Sequence, residues 1–416
     1  MRYESCFCRL SYSDIIGNDN QFTPLWNVGL RWNLHREEFM KRWMWVDQFA
    51  VRGGFGYTGS IDKNALPFVV MTLGQSVIYD GQTVPTSFSY PNPNVKWQTK
   101  QDMNVGLDLS LFDYRLELGV NYYNNITRDV LDRKALPYSS GRSEVTENVA
   151  DIYNSGWEID LGVTLLKNKS FQWYAKANIA INDNKVKNTY YKDTKDLPKA
   201  TLSNAHQFVE NQPVNGWYGY KFAGINPING AVMTYTGNGE ATLDMSVSGA
   251  TWPIPSVFYL GNLTPPVVGG FSTSANWKQL IFSANFEFKT GHKIKSFNTF
   301  RSLDARNRHT SEANRWREPG DITNVPAMSE AFTTYSSYMY DILLEKGNYL
   351  RCSYMTLGYN LKPEWLHKIG FSTARLSFTA KDLFTVSSYS GIDPALMGSF
   401  GYPNSRKYTI TLNVGF

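Results

Sequence analysis

The sequence predicts an all-β chain, an antiparallel up-and-down transmembrane β-barrel architecture of about twelve strands with long extracellular loops and short periplasmic turns. Three observations carry that reading. Apolar and polar residues alternate strictly over segment after segment. No run reaches the roughly 18 consecutive apolar residues that a membrane-crossing helix needs. The connections between the alternating segments are short and long in turn along the chain.

Composition sets the frame. The 416 residues are 42% hydrophobic, 15% aromatic and 19% charged, with 26 Tyr, 24 Phe, 12 Trp and 32 Gly. That apolar and aromatic content excludes disordered and low-complexity classes. The mean hydropathy of −0.37 speaks against helical spans but not against strands. A transmembrane strand needs only about 10 residues of alternating polarity, and its wet face lowers the average. The net charge of +5 is spread along the chain, and its densest cluster, His35 to Arg42, also holds Glu37 and Glu38. No nucleic-acid footprint is present. Cys6, Cys8 and Cys352 show no CxxC spacing, and their odd number argues against a disulfide framework. Met1-Arg2-Tyr3 leads straight into strand-like sequence without a basic and then apolar leader. The expectation is a chain that is not exported, or one whose beginning is missing.

The alternation is cleanest at the end, where Tyr408, Ile410, Leu412, Val414 and Phe416 interleave with Lys407, Thr409, Thr411, Asn413 and Gly415. Successive strand residues point to opposite faces, so such a segment stands between oil and water. The pattern recurs at Trp26, Val28, Leu30, Trp32 and Leu34, at Phe49, Val51, Phe55 and Tyr57, and at Val105, Leu107, Leu109 and Leu111. It returns at Leu116, Leu118, Val120 and Tyr122, at Trp157 through Leu165, and at Phe171 through Ile181. Segments Phe271 to Trp277, Leu280 to Phe288, Met355 to Leu361 and Leu376 to Ala380 complete the series with the opening segment. The opposite face carries Arg31, Arg52, Asp108, Arg115, Glu117, Glu158, Asp160, Lys176, Glu287 and Arg375.

Connection length separates a membrane barrel from a soluble sandwich. Short links (35–47, about 112–114, 167–170, 278–279 and 362–370) alternate with long ones (58–99, 125–151, 183–263, 291–345 and 383–405). Outer-membrane barrels segregate turns and loops in this way, whereas Greek-key sandwiches do not. Trp26, Trp32, Trp157, Trp173, Trp277, Tyr408 and Phe416 fall towards strand ends, where amphipathic rings suit a membrane interface.

Catalysis finds little support. His35, His206, His292, His309 and His367 show no metal-binding spacing, and no GxSxG elbow or phosphate-binding glycine loop occurs. Asp102 and Asp108 form a carboxylate pair in sequence only, and carboxylates are common on a wet barrel face. Asp321 and Asp393, beside Gly or Pro, read first as turn formers. No metal site, catalytic residue or cofactor is expected. The long links hold Trp217, Tyr218, Tyr220, Trp252, Tyr259, Trp316, Tyr335, Tyr338 and Tyr340. Such rings suit sugar stacking or a partner interface. They suit loops packing on themselves equally well.

Several segments add a resemblance. They are Val28-Gly29-Leu30-Arg31-Trp32-Asn33-Leu34, Val51-Arg52-Gly53-Gly54-Phe55-Gly56-Tyr57, Pro93-Asn94-Val95-Lys96-Trp97 and Asn154-Ser155-Gly156-Trp157-Glu158. Further on come Gln212-Pro213-Val214, Tyr218-Gly219-Tyr220 and Gly224-Ile225-Asn226-Pro227. Arg315-Trp316-Arg317-Glu318-Pro319-Gly320-Asp321 is the most specific. Tyr349-Leu350-Arg351, Tyr389-Ser390-Gly391-Ile392-Asp393-Pro394 and the terminal Phe416 close the set. In this order they resemble the SusC/RagA-type TonB-dependent outer-membrane transporters over nearly the whole chain.

The resemblance starts partway through that family's barrel. It implies that residues 1–416 are the C-terminal part, with the plug, the TonB-contacting segment and the N-terminal strands absent. It implies TonB-dependent import of an oligomeric nutrient, a glycan or a peptide, in the Gram-negative outer membrane. The implied partners are a SusD-like lipoprotein, the TonB complex through the missing N-terminal part, outer-membrane lipid, and the barrel-assembly machinery through the C-terminal strand. This part alone is expected not to transport. Twelve strands cut from a larger barrel would also leave two unpaired edges, which are costly in lipid. The alternative at this stage is a soluble or surface β-protein that binds glycans through its loop aromatics.

Overall fold

The computed structural model describes residues 2–12, 22–61, 70–79, 82–89, 92, 94–135, 139, 144–194, 208–242, 257–295, 313–327, 340–366, 370–397 and 401–416. Twelve strands form one antiparallel sheet. In chain order they are β1 (Arg2–Tyr12), β2 (Phe22–Asn33), β3 (Val46–Ser60), β4 (Gln98–Leu111), β5 (Leu116–Ala135) and β6 (Glu144–Lys167). Then follow β7 (Phe171–Lys187), β8 (Val267–Trp277), β9 (Leu280–Thr290), β10 (Tyr349–Asn360), β11 (Thr373–Ser387) and β12 (Lys407–Gly415). Each strand pairs with its neighbours in this order, so the sheet is an uninterrupted meander whose edges are β1 and β12.

Register turns the sequence alternation into two surfaces. Leu109 lies opposite Leu118, Leu118 opposite Leu161, Leu161 opposite Ala177, Ala177 opposite Phe271, and Phe271 opposite Phe286. One apolar row thus crosses six strands without leaving its face. Aromatic pairs reinforce it: Phe271 and Phe286 stack at 4.5 Å, and Tyr122 meets Trp157 at 4.9 Å. Leu357, Ile410 and Leu412 are 53%, 75% and 61% exposed, so among the described residues no second layer covers this face. A soluble sandwich would bury such residues against a partner sheet. No helix among the described residues is long and apolar enough to cross a membrane.

The expected parity of connections is present. Residues 34–45, 112–115, 168–170, 278–279 and 361–372 link the strands at one end; at the other end 61–97, 188–266, 291–348 and 388–406 exceed all of these, while 13–21 and 136–143 are shorter than the twelve-residue links. One boundary differs from expectation. Residues 125–151 read as a loop, yet β5 and β6 continue to pair out to Ala135 opposite Glu144. Asn, Thr, Arg and Asp there mask the apolar alternation, because both faces of a ribbon standing in water are polar.

At the short-turn end, Phe112, Asp113 and Tyr114 all take left-handed conformations, with φ of 59°, 58° and 57°. Each costs about 1–2 kcal/mol for a non-glycine residue. Hydrogen bonds offset that cost: Phe112 N–H donates to Trp45 O and Tyr114 N–H to Asp47 Oδ2, each at 2.9 Å. The turn stacks Phe112 on Trp45 at 5.8 Å and Trp45 on Trp43 at 5.7 Å. Trp157, expected at a strand end, lies inside β6, opposite Tyr122 and Ile181, at the level where β8 begins with Val267.

Among the described residues the sheet strands contribute only a small buried cluster, Val149, Ala150 and Val186, with Phe208 and Val214 packed on it. The main buried apolar cluster sits in the long connections at the far end, built from Val209, Tyr218, Tyr220, Ile225, Val232, Val257, Tyr340 and Leu343. Cys8 is exposed and Cys352 is buried, both as free thiols.

Candidate functional site

Two regions can meet a solute or a partner: the polar face of the sheet and the platform of long loops. On the polar face, charges pair across strands. Arg31 Nη1 lies 2.9 Å from Asp108 Oδ2, and Arg52 Nη1 lies 3.5 Å from the other oxygen. Asp102 pairs with Lys100 and accepts from Thr58 Oγ1 at 3.3 Å. The two carboxylates singled out in the sequence therefore serve separate cationic partners. Asn121 donates to Glu158 Oε2 at 3.2 Å, and Asp160 faces Lys176 at 4.0 Å. A concavity of about 610 Å³ lies over β6–β9 between Asp160, Lys176, Asn285 and Glu287. The wall is wet and charged, with most of these charges paired across strands, which suits a path for polar solutes.

The loop platform is a small folded unit. Residues Gly216–Gly219 pair with Phe258–Asn262, and Phe222–Ile225 pairs with Val232–Tyr235 and through it with Ala241–Thr242. Lys293–Lys295 pairs with Leu344–Lys346, and Tyr220 bridges Tyr340. Trp217 ties the two connections together: its Nε1 donates to Lys293 O at 2.9 Å, and Lys295 Nζ stands 5.7 Å from its ring centroid. Phe222 N–H donates to Asp341 Oδ1 at 2.9 Å, a second clasp between them.

The loop aromatics are distributed accordingly. Trp217, Tyr218, Tyr220 and Tyr340 are between 1% and 6% exposed and form the inside of the platform. Tyr259 and Trp316 are half-buried at its margin and, among the described residues of this set, are the two with surface to offer. Trp252, Tyr335 and Tyr338 lie outside the described residues, as do His206, His309 and His367. Burial raises the Tyr218 phenol well above its ordinary pKa, with the neighbouring Tyr259 adding to the effect. Burial likewise raises Tyr259 and lowers Lys295.

The motif residues explain themselves through hydrogen bonding. Asp321 accepts from the N–H groups of Arg317 at 2.9 Å and Glu318 at 3.3 Å, closing a turn that Pro319 and Gly320 complete at a Gly320 φ of +103°. Arg315 bridges Val325, and Trp316 Nε1 donates to Pro227 O at 3.1 Å. The Arg315 to Asp321 segment therefore docks on the Gly224 to Gly230 turn, two motifs 89 residues apart at the tryptophan contact. Gly230 makes the fit, because a Cβ there would overlap the Trp316 ring and Ala327.

Asp393 accepts from Ala395 N–H at 2.9 Å, opening the turn that begins with Pro394. It also pairs with Arg351 Nη2 at 2.5 Å, with both side chains under 10% exposed. Arg351 donates from Nε to Thr385 Oγ1 at 3.1 Å. The final long connection is further held by Ser390 on Glu345 and by Tyr389 OH on Lys295 O at 3.0 Å. Phe416 packs edge-on against Phe371 at 5.2 Å. Sequence reasoning named Asp393, Arg31 and Asp108 singly but missed their partners. For Arg31 and Asp108 the available signal was charge on strands, which does not say which strands meet; for Asp393 it was the neighbouring Pro394, which points to a turn and not to Arg351. No group of three metal-ligating side chains occurs among the described residues.

A meander with one uncovered apolar face, one charged face and elaborated loops at a single end defines an outer-membrane β-barrel wall. A model of the TonB dependent receptor-like β-barrel matches residues 8–289. The chain is 28% identical to TonB-dependent receptor P3 of Formosa agariphila, over 97% of this chain and 43% of that protein. It is 22% identical to TonB-dependent receptor SusC of Bacteroides thetaiotaomicron, over 97% of this chain and 41% of that protein. Among solved structures, the RagAB peptide transporter superposes with a TM-score of 0.78 at 25% identity, over 100% of this chain and 46% of that one. The RagAB peptide importer in its "open-open" state gives 0.79 at 26% identity. The chain belongs to the TonB-dependent receptor-like β-barrel family, is of the SusC/RagA type within it, and has its place in the Gram-negative outer membrane. It spans less than half the length of the curated relatives it matches.

Proposed function

We propose that residues 1–416 are the C-terminal part of the barrel of a TonB-dependent importer for an oligomeric nutrient, a glycan or a peptide, and that the protein transports rather than catalyses. The observation that carries this reading is the coexistence of an uncovered apolar face and a charge-paired polar face on one twelve-stranded meander. The plug, the TonB-contacting segment and the preceding strands would come from sequence outside these residues, and the part alone would not transport. The loop platform, with Tyr259 and Trp316 at its margin, is the surface for a SusD-like lipoprotein or the incoming solute. The last strand and Phe416 would be read by the barrel-assembly machinery. The soluble alternative would need a partner layer over Leu357, Ile410 and Leu412.

The test is accumulation of labelled oligosaccharides and oligopeptides by source cells with and without TonB. Fractions are blotted with antiserum against residues 371–416. Uptake that vanishes without TonB, with an outer-membrane band far above 47.3 kDa, is the expected result. TonB-independent uptake, or a band confined to the soluble fraction, overturns the reading.

A further inference from the structure

The polar face of β2, β3 and β4 contains a stretch with no side chains. Gly29 lies directly opposite Gly54, and Gly56 follows two residues along β3 on the same face. Gly106 lies opposite Arg52, which in turn lies opposite Arg31. The bare patch is thus bordered on one side by two guanidiniums and on the other by Asn27, Asn104 and Thr58. The concavity above it holds about 540 Å³. Small-molecule sites span roughly 300–1,000 Å³.

Gly106 is required for this arrangement. A Cβ at that position would overlap the Arg52 side chain, which lies across bare backbone to reach Asp108. Two like charges directly opposite on one sheet face destabilise the pairing. Asp108 relieves the repulsion by giving one oxygen to each arginine. With the neighbouring Lys100–Asp102 pair, three cations face two carboxylates, an excess of one positive charge. The side chains of Arg31 and Arg52 remain 35% and 43% exposed. Each spends one Nη on Asp108, and Arg31 spends its Nε on Asn33 at 3.3 Å. The remaining N–H groups form the planar fork that matches a carboxylate.

We propose that this patch is a carboxylate-binding subsite on the import path: Arg31 and Arg52 hold a carboxylate of the solute oligomer while its adjoining flat unit lies over Gly29 and Gly54. The proposal rests on the import reading and adds ligand chemistry to it. The carboxylate belongs to a uronate unit of a glycan or to a peptide, and the two sources are separated by experiment.

Calorimetry on the purified full-length transporter compares trigalacturonate with its methyl ester, and triglutamate with its amidated form. The wild type is expected to bind one acidic probe at least about tenfold more tightly than its neutral partner, the worth of a charged hydrogen bond. Which acid is preferred identifies the source. Arg31→Gln with Arg52→Gln brings the ratio of acidic to neutral binding within about twofold. Arg31→Lys with Arg52→Lys keeps most of the preference, since the charge remains. Gly54→Gln places a side chain in the patch and leaves both arginines in the sequence; the nearest neighbour of its Cβ is the Asn104 side chain. It should weaken the acidic probe likewise. Heat-dependent gel migration verifies that each variant is assembled. Equal binding of acidic and neutral probes, binding of neither, or a preference that survives the double glutamine variant overturns the subsite. TonB-dependent uptake in the same strains leaves the import reading standing in those cases.

Discussion

Asp393 shows how one residue carries two loads. Its carboxylate opens a turn through Ala395 and neutralises the buried Arg351. Removing one member of a buried pair strands the other, at a cost of about 3–5 kcal/mol. Asp393→Asn keeps the shape and loses the charge. It should release residues 388–397 from β10, read as faster amide exchange in that stretch, whereas Arg351→Met with Asp393→Leu should recover much of the protection. His292 makes a pH prediction. Burial, with Lys289 nearby, lowers its pKa. The unfolded segment therefore takes up a proton near pH ~6.5 that the folded one refuses. The stability that a neutral His292 provides is present above that pH and is lost as pH falls towards the depressed folded value. Amide protection of residues 293–295 and 344–346 should fall between pH 7.5 and 5, and His292→Gln should flatten the dependence. The turn role of Asp393 was legible from its proline neighbour. The arginine was not, because 42 residues separate the two and no local pattern joins them.

Elements divide into those that sequence periodicity reveals and those it cannot. Strands such as β12 and β9 announce themselves because a face in oil excludes polar side chains at every second position. The platform strands run to five residues or fewer, pair within their own connection, and are joined across connections by Trp217 on Lys293 and Phe222 on Asp341. A period of two cannot be recognised over such lengths. For the same reason the loop aromatics, which suited stacking or packing equally from sequence, divide only in the structure: Tyr218 and Tyr220 inside, Tyr259 and Trp316 at the margin. Gly230 is the joint on which one motif rests against another. At a φ of +70°, against the Trp316 ring, Gly230→Ala meets both backbone strain and overlap. A loss of about 1–3 kcal/mol in local stability is expected. Limited proteolysis should then cut residues 313–327 faster, while the twelve-stranded sheet stays intact.

At the scale of the whole molecule, orientation is the decisive property, and it follows from register. Leu161 sits in a row with Leu118 and Ala177, the same row on which Leu109 begins. Arginine at the middle of a lipid-facing strand costs about 2–4 kcal/mol. Leu161→Arg or Leu109→Arg in the full-length protein should reduce the heat-shifted, assembled form in the outer membrane. Normal assembly of either variant would contradict a lipid contact at that row. The order of strands and the end at which loops gather were both legible, since alternation and connection length are one-dimensional properties. Which polar-face charges meet was not, because that depends on the slant of one strand against the next.

The long β5–β6 ribbon has its own consequence. The 24 residues of β6 extend on the order of 80 Å at about 3.3 Å each, or about 60 Å of height at a tilt of about 40°, against an apolar band of about 25 Å. More than half of it stands clear of the lipid. To an antibody, a phage tail or a neighbouring cell's protease, this ribbon offers a stretch of chain standing clear of the lipid. Its paired backbone, carried past Asn148 to Glu144, is a poor protease substrate.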